Sequence, residues 1–282
     1  MSTLQGFCLT IGREMKVDDR YLRLAVAAAK EAGRIQTLHL DHSHPVEYKG
    51  EFNPVTEVDR LCERAIVKMI SDAFAEHDIL TEETPFKGRG SAWKWIIDPL
   101  DGTTNYFHGF PCFCVSIGLE VEGEIRMGVV YVPALKELFH AEKGKGAFLN
   151  GKRIVVSQVD RLNRSLLCTG FPYDVHDHAD FYLRYFRQFL TKSFAIRRPG
   201  SAAIDLSYLA VGRFDGFWEF KLHPWDVAAA TLMITEAGGK LTDLQGRPFS
   251  IHAEEIVASN GLIHQQMLEV LQEVGDLEKS RG

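Results

Sequence analysis

The sequence has no surplus of positive charge: 32 Lys and Arg against 38 Asp and Glu leave a formal net charge of −6 over 282 residues. Nucleic acid is therefore not expected as the main ligand, because no broad basic face exists to neutralise phosphates. Arg197 and Arg198, with Arg184 and Arg187 near them, form the one candidate for a local basic patch. Cysteine is scarce. The five positions, Cys8, Cys62, Cys112, Cys114 and Cys168, are odd in number, scattered and without a CxxC pair, which argues against a disulfide framework and fits reduced, buried thiols in a cytoplasmic protein. Cys112 and Cys114 would share one strand face and pack in the core rather than hold a metal. No window approaches the roughly 20 apolar residues of a membrane span. Residues 6–12 are too short a run, and too soon followed by Arg13, Glu14 and Lys16, to read as a signal peptide. Repeats, low-complexity tracts and flexible linkers are missing as well.

What is present is ordinary for a folded protein, with 45% hydrophobic and 25% charged residues. The length suits one catalytic unit over residues 1–282, with approximate subdomains 1–157 (α+β) and 158–282 (α/β). Helical spacing of apolar residues predicts a first helix over 18–39, capped by Asp18 or Asp19, and a second from Thr56 to about residue 75. Residues 41–45 read as a loop whose histidines are solvated. Asp59 falls in the first turn of the second helix, where a negative charge is favoured on structural grounds alone. Residues 78–81 form a short strand that delivers Glu82 and Glu83 to a loop. The 111–156 region alternates strand and turn signals and predicts an antiparallel meander. Further on, helices are expected over 180–190, 202–211, 224–237 and 261–274, and strands over 166–170, 214–220, 241–243 and 255–258. The acidic and histidine-rich stretch Asp174-Val-His176-Asp177-His178 is metal-like in composition but lacks a third element of matching spacing and reads as a polar loop.

One stretch organises the rest: Trp95-Ile-Ile-Asp98-Pro-Leu-Asp101-Gly102-Thr103-Thr104-Asn105. Residues 94–97 read as a buried strand emptying into a turn, with Pro99 biasing Asp98 toward extended geometry and Gly102 permitting a close approach of ligand to backbone. Two carboxylates near bare N–H groups suit a divalent cation beside a phosphate. The same residues also suit a plain surface β-turn. Asp226, in the first turn of the helix begun by Pro224, is either a dipole-favoured residue or a third carboxylate for the same metal.

This stretch, with Trp225-Asp226-Val-Ala-Ala, Glu236-Ala-Gly-Gly, Asn53-Pro-Val-Thr56-Glu-Val-Asp59-Arg-Leu-Cys-Glu63, the Glu82-Glu83 pair and Gly200-Ser-Ala-Ala203, resembles the inositol monophosphatase family in order and approximate spacing over nearly the whole chain. The resemblance implies an α+β layered sandwich (α-β-α-β-α), usually a homodimer. It implies one Mg²⁺ held by Glu82, Asp98 and the Leu100 carbonyl, a second by Asp98, Asp101 and Asp226, and a weaker third near Glu82, with inhibition by Li⁺. Asp59 would support the metals from behind, while Gly102 and Thr103 would hold the phosphate. Glu82 and Thr103 would position and deprotonate a water. Four carboxylates in one pocket repel by roughly 4 kcal/mol per pair at 4 Å and an effective dielectric of about 20. Divalent ions reverse that sign and activate a water for attack on phosphorus.

Glu219 matches the family position that contacts inositol hydroxyls, and Asp101, Gly200, Ser201, Ala202 and Asp226 would line the same alcohol pocket. Outward exposure on its strand is the alternative for Glu219. Thr81 and Ala230 each stand where the family usually has Gly, adding a methyl without removing a ligand. The expected activity is Mg²⁺-dependent hydrolysis of myo-inositol 1-phosphate and similar small polyol phosphates. Relatives on the same motifs take histidinol phosphate, fructose 1,6-bisphosphate or 3′-phosphoadenosine 5′-phosphate. A regulatory, RNA- or transcription-associated binding protein retaining the fold is the alternative of another class.

Overall fold

The computed structural model describes residues 17–40, 46–48 and 54–279; the 41–45 loop, Asn53 and Cys8 lie outside them. Asp18 caps α1 (Asp19–His39), its carboxylate accepting from the Arg20 amide at 2.8 Å. The helix buries Ala25, Ala28, Ala29, Ala32 and Gln36 along one face. A short antiparallel pair, β1 (Val46–Tyr48) and β2 (Pro54–Thr56), leads into α2 (Glu57–Ala73). Thr56 and Asp59 open α2 with a reciprocal capping box.

Next come β3 (Asp78–Thr81), β4 (Trp93–Asp101), the five-residue α3 (Thr103–Phe107), β5 (Cys114–Val121), β6 (Glu124–Val132), β7 (Glu137–Glu142), β8 (Gly146–Leu149) and β9 (Lys152–Ile154). These strands form one sheet in chain order, with β3 parallel to β4 and each later neighbour antiparallel. The expected meander is present, and its last segment is split by a turn at Asn150 and Gly151, both at positive φ.

The chain continues through β10 (Leu166–Thr169), α4 (Val175–Lys192), β11 (Ala195–Arg197), α5 (Ala202–Ala210), β12 (Gly216–Phe220), α6 (Pro224–Glu236), β13 (Lys240–Thr242), β14 (Glu255–Ser259) and α7 (His264–Lys279). Its five strands lie in the order β11-β10-β12-β14-β13. Helices α1 and α2 cover the outer face of the first sheet, α5 and α6 fill the space between the sheets, and α4 and α7 cover the outer face of the second. This is the α-β-α-β-α sandwich.

A helix buried on every side must be apolar nearly all round, and α5 and α6 are: eight residues of each are buried, all of them Ala, Leu, Ile, Val or Met except Asp205, Ser207 and Thr231. Small residues bring α6 onto the first sheet. A Cβ on Gly128 would lie 2.4 Å from the Ala229 carbonyl oxygen, and one on Gly118 would lie 3.0 Å from the Ala228 Cβ. Ala230 is fully buried in the core between the sheets, which accommodates its methyl.

Three elements differ from the sequence reading. Strand β4 runs on through Pro99 to Asp101. Helix α4 starts at Val175, so His176, Asp177 and His178 lie in its first turns instead of a loop, with a non-helical φ of −125° at His178. Asp174, just before it, pairs with Lys221 and accepts from the Tyr182 hydroxyl at 2.9 Å, which accounts for this acidic residue without a metal. Helix α7 begins at His264 rather than residue 261 because Asn260 turns the chain, its Oδ1 accepting from the Leu262 and Ile263 amides.

Gly128→Ala should therefore destabilise the fold by about 1–3 kcal/mol, since backbone cannot retreat as a side-chain tip can; urea denaturation checks this. His264 supplies a pH dependence. It is 1% exposed, its ring nitrogens lie 2.9 Å from the Thr242 and Ser259 hydroxyls, and burial, aided by Lys240, lowers its pKa to about 4. Below pH 6.5 the unfolded chain binds a proton that the folded chain refuses, so stability falls as pH drops from about 6.5 toward 4, by roughly 1.4 kcal/mol per unit. Denaturation curves of His264→Gln should start lower at pH 7 and show a flatter slope over that window.

Candidate active site

Asp98 and Asp101 reach the same site because β4 is irregular. Asp98 pairs with Ser116 and Asp101 with Cys114, so three steps along β4 answer two along β5. In a regular strand, residues three apart face opposite sides of the sheet; one extra residue returns them to the same side. Pro99 has no N–H for the ladder, its carbonyl accepts from Gln36 Nε2 at 2.9 Å, and the Leu100 amide donates to Asp98 Oδ1 at 2.9 Å. Asp98 is 2% exposed.

Glu82 approaches from the loop after β3, and Asp226 from the first turn of α6. Asp226 Oδ2 accepts from the His223 amide at 2.7 Å, while the Ser116 hydroxyl fastens the start of α6 to β5 through the Trp225 carbonyl at 3.2 Å. Asp101 spends one oxygen on the start of α5: its Oδ2 accepts from Ser201 Oγ at 2.7 Å and the Ala203 amide at 2.8 Å. The carboxylates act on one another. Burial, then Glu82, Asp101 and Asp226, hold the Asp98 pKa well above the usual carboxylate range. Burial and then Asp101 do the same to Asp226, and burial raises Asp101 against the donors from Ser201 and Ala203. Among the described residues, no group of three or more His, Cys, Asp or Glu side chains forms a ready-made metal site. What the four share is electrostatic influence on one another and hard carboxylate oxygens, the donor chemistry that suits Mg²⁺.

Behind this group, Thr103 Oγ1 lies 3.0 Å from Asp59 Oδ1 and 3.1 Å from the Leu100 carbonyl. Asp59 is 1% exposed, and its Oδ2 accepts from the Thr56 amide and hydroxyl at 2.8 and 2.5 Å. Burial raises its pKa, and these donors oppose the rise. Gly102 has a φ of +91°, and a Cβ there would lie 2.7 Å from the Cys112 carbonyl. Both backbone and space therefore demand glycine before α3.

The other side of the site is built by α5 and β12. Asn105 Nδ2 donates to the Cys112 and Pro199 carbonyls at 2.7 and 2.9 Å, tying Gly200 to α3. Ser201 caps α5, and Ala202 is buried beside it. Glu219 is buried on β12 rather than outward-facing, and burial lifts its pKa to about 8, with Arg198 opposing and Asp101 reinforcing. Gly170 makes the room: a Cβ there would fall 2.1 Å from Glu219 Oε1. Two residues were missed from sequence. Asp205 on α5 is 1% exposed, its Oδ1 has no partner, and burial followed by Glu219 and Asp101 raises its pKa. Tyr173 leaves half of its surface exposed, yet its hydroxyl end is desolvated, and this, then Glu82, Asp101, Asp226 and Asp98, raises its pKa. An Asp inside an otherwise apolar helix was the only signal for the first; the second had none.

A model of the inositol monophosphatase family matches residues 18–276. The chain belongs to the inositol monophosphatase family. An inositol monophosphatase of Dictyostelium discoideum is 40% identical over 259 residues, covering 90% of this chain and 95% of that protein. A putative Nus factor SuhB of Neisseria meningitidis is 41% identical over 254 residues, covering 89% and 97%. Among solved structures, a Thermotoga maritima IMPase superposes with a TM-score of 0.85 at 36% identity, covering 91% of this chain and 98% of that one. In this family member the segments that carry Glu82, Asp98, Asp101, Gly200 and Asp226 come together where β3, β4, α5 and α6 end or begin, whereas Glu236-Ala-Gly-Gly lies at the other end of α6, Glu236 accepting from the Gly144 and Gly146 amides.

Gly170→Ala tests the buried position of Glu219. The added methyl should push the carboxyl toward water and bring its titration down by at least one unit from about 8, read by ¹³C NMR of glutamate-labelled protein.

Proposed function

We propose that this protein is a Mg²⁺-dependent phosphomonoesterase acting on myo-inositol 1-phosphate and related small polyol phosphates. The observation that carries this reading is Asp98, buried at the end of β4 and raised in pKa first by that burial and then by Glu82, Asp101 and Asp226. Such a group excludes a phosphate dianion unless cations join it. Glu82, Asp98 and the Leu100 carbonyl would hold one ion, and Asp98, Asp101 and Asp226 a second, with a weaker third near Glu82. When bound, Mg²⁺ supplies charge neutralisation at phosphate and lowers the pKa of a water.

The chain's own residues do the rest. Gly102 and Thr103 hold the phosphate with backbone N–H groups at the start of α3. Glu82 and Thr103 hold the attacking water from two sides, and Glu82 takes its proton. Asp59 keeps the Thr103 hydroxyl in place at 3.0 Å. Glu219, with Asp101, Gly200, Ser201, Ala202 and Asp226, lines the alcohol side, where carboxyl groups favour a polyol. A homodimer is the proposed assembly; Leu183, Leu190 and Phe194, exposed on and just after α4 beside the edge strand β11, support it. Cys62, Cys112, Cys114 and Cys168 are all unbridged, which supports the cytoplasmic assignment, and no helix among the described residues is long and apolar enough to cross a membrane.

A second, regulatory role is favoured by one feature: Arg184 and Arg187 on α4 and Arg197 and Arg198 at β11 are exposed near one another in the chain. Phosphate release from inositol 1-phosphate, glycerol 2-phosphate, histidinol phosphate, fructose 1,6-bisphosphate and 3′-phosphoadenosine 5′-phosphate separates these readings. Preference for the first two, lost on chelation and inhibited by tens of millimolar Li⁺, is the expected result. Asp98→Asn should lower turnover roughly a thousandfold, the equivalent of about 4 kcal/mol. Release from none of the esters would favour the regulatory role.

A further inference from the structure

Helix α2 carries a second buried carboxylate one turn beyond Asp59. Glu63 is 6% exposed. Its Oε2 accepts from the Glu83 amide at 3.0 Å, and its Oε1 accepts from the Thr84 hydroxyl. Thr81 braces the same turn, its Oγ1 lying 3.4 Å from both the Thr84 carbonyl and the Thr84 amide, contacts that a glycine at position 81 could not make. Asp59 and Glu63 are four residues apart, so their side chains leave the same face of the helix about 6 Å apart at Cβ. One grips Thr103 at the end of β4; the other grips the backbone next to Glu82 at the end of β3. The two loops thus hang from one helical turn.

We propose that Glu63 is a positioning residue that fixes Glu82 relative to Thr103, with Thr81 and Thr84 completing the bracket. The proposal rests on the reading that Glu82 and Thr103 hold the attacking water. Its logic is geometric. Glu82 sits among like charges that push it away from Asp98, on a loop that follows a strand of only four residues. A carboxylate accepting an amide and a hydroxyl is a strong, directional anchor. Placement errors of about 1 Å in such a constellation cost on the order of 100-fold in rate.

The test compares Glu63→Ala, Glu63→Gln and Thr84→Val with wild type. In the metal-free protein, Glu63→Ala should speed hydrogen exchange at the Glu83 amide at least tenfold and leave the Thr56 amide, held by Asp59, unchanged. With Mg²⁺, the same variant should lose at least tenfold in kcat while KM for inositol 1-phosphate stays within twofold, and it should need more Mg²⁺ for half-activation. Glu63→Gln keeps an acceptor for Glu83 and a donor for the Thr84 oxygen, so it should recover most of both losses; Thr84→Val should fall between. Unchanged kcat in Glu63→Ala, no recovery by Gln, or exchange rising equally along all of α2 would overturn the proposal. Should Glu63→Ala not fold, the Gln and Val variants still decide it by the same readouts. If wild type releases no phosphate, the phosphatase reading fails, while the Glu83 amide still reports whether the bracket exists.

Discussion

Mutual repulsion among carboxylates is the condition under which everything else in this molecule is arranged. Glu82, Asp98, Asp101 and Asp226 come from the loop after β3, the bulged end of β4 and the first turn of α6. Left to electrostatics they would separate. Asp98, Asp101 and Asp226 are each held by a donor that is itself fixed in backbone or helix: the Leu100 amide, the Ala203 amide with Ser201, and the His223 amide. These bonds set the carboxylates' directions before any cation arrives, which is the preorganisation that makes electrostatic stabilisation effective.

The middle helical layer extends this control over distance. Asp226 can reach Asp98 only because α6 lies against β5 and β6 without intervening side chains, with Gly118 and Gly128 under Ala228 and Ala229. Glycines in the sheet, remote from chemistry, thereby set where a charged residue ends up. Their absent side chains matter as much as the carboxylates present.

Much of this was readable from residue order. Turn formers around Asp98 and Asp101, the Thr56 cap and the Pro224 start are local signals, and the structure keeps them. The bulge was not readable, since Pro99 signals a strand end in isolation and only pairing with β5, and the donor from Gln36, carries the strand past it. Likewise the His and Asp residues before residue 180 look like loop, yet packing of Tyr182, Tyr185 and Phe189 draws the helix back to Val175. Glu63 looks like a solvated helix residue until the 82–84 turn closes on it. Asp205 and Tyr173 depend on contacts between distant segments, which periodicity cannot supply.

The divided carboxylate of Asp101 has a thermodynamic corollary. One of its oxygens caps α5 through Ser201 and Ala203, and α5 begins at the segment proposed to line the alcohol side. Any occupant that draws on Asp101 alters what that oxygen offers α5, and any occupant that settles α5 alters Asp101 in return. Binding at the two ends is then reciprocal: each occupant changes the affinity of the other by the same factor. Under the proposed site assignment, a single side chain would make cation and alcohol heterotropic effectors of one another.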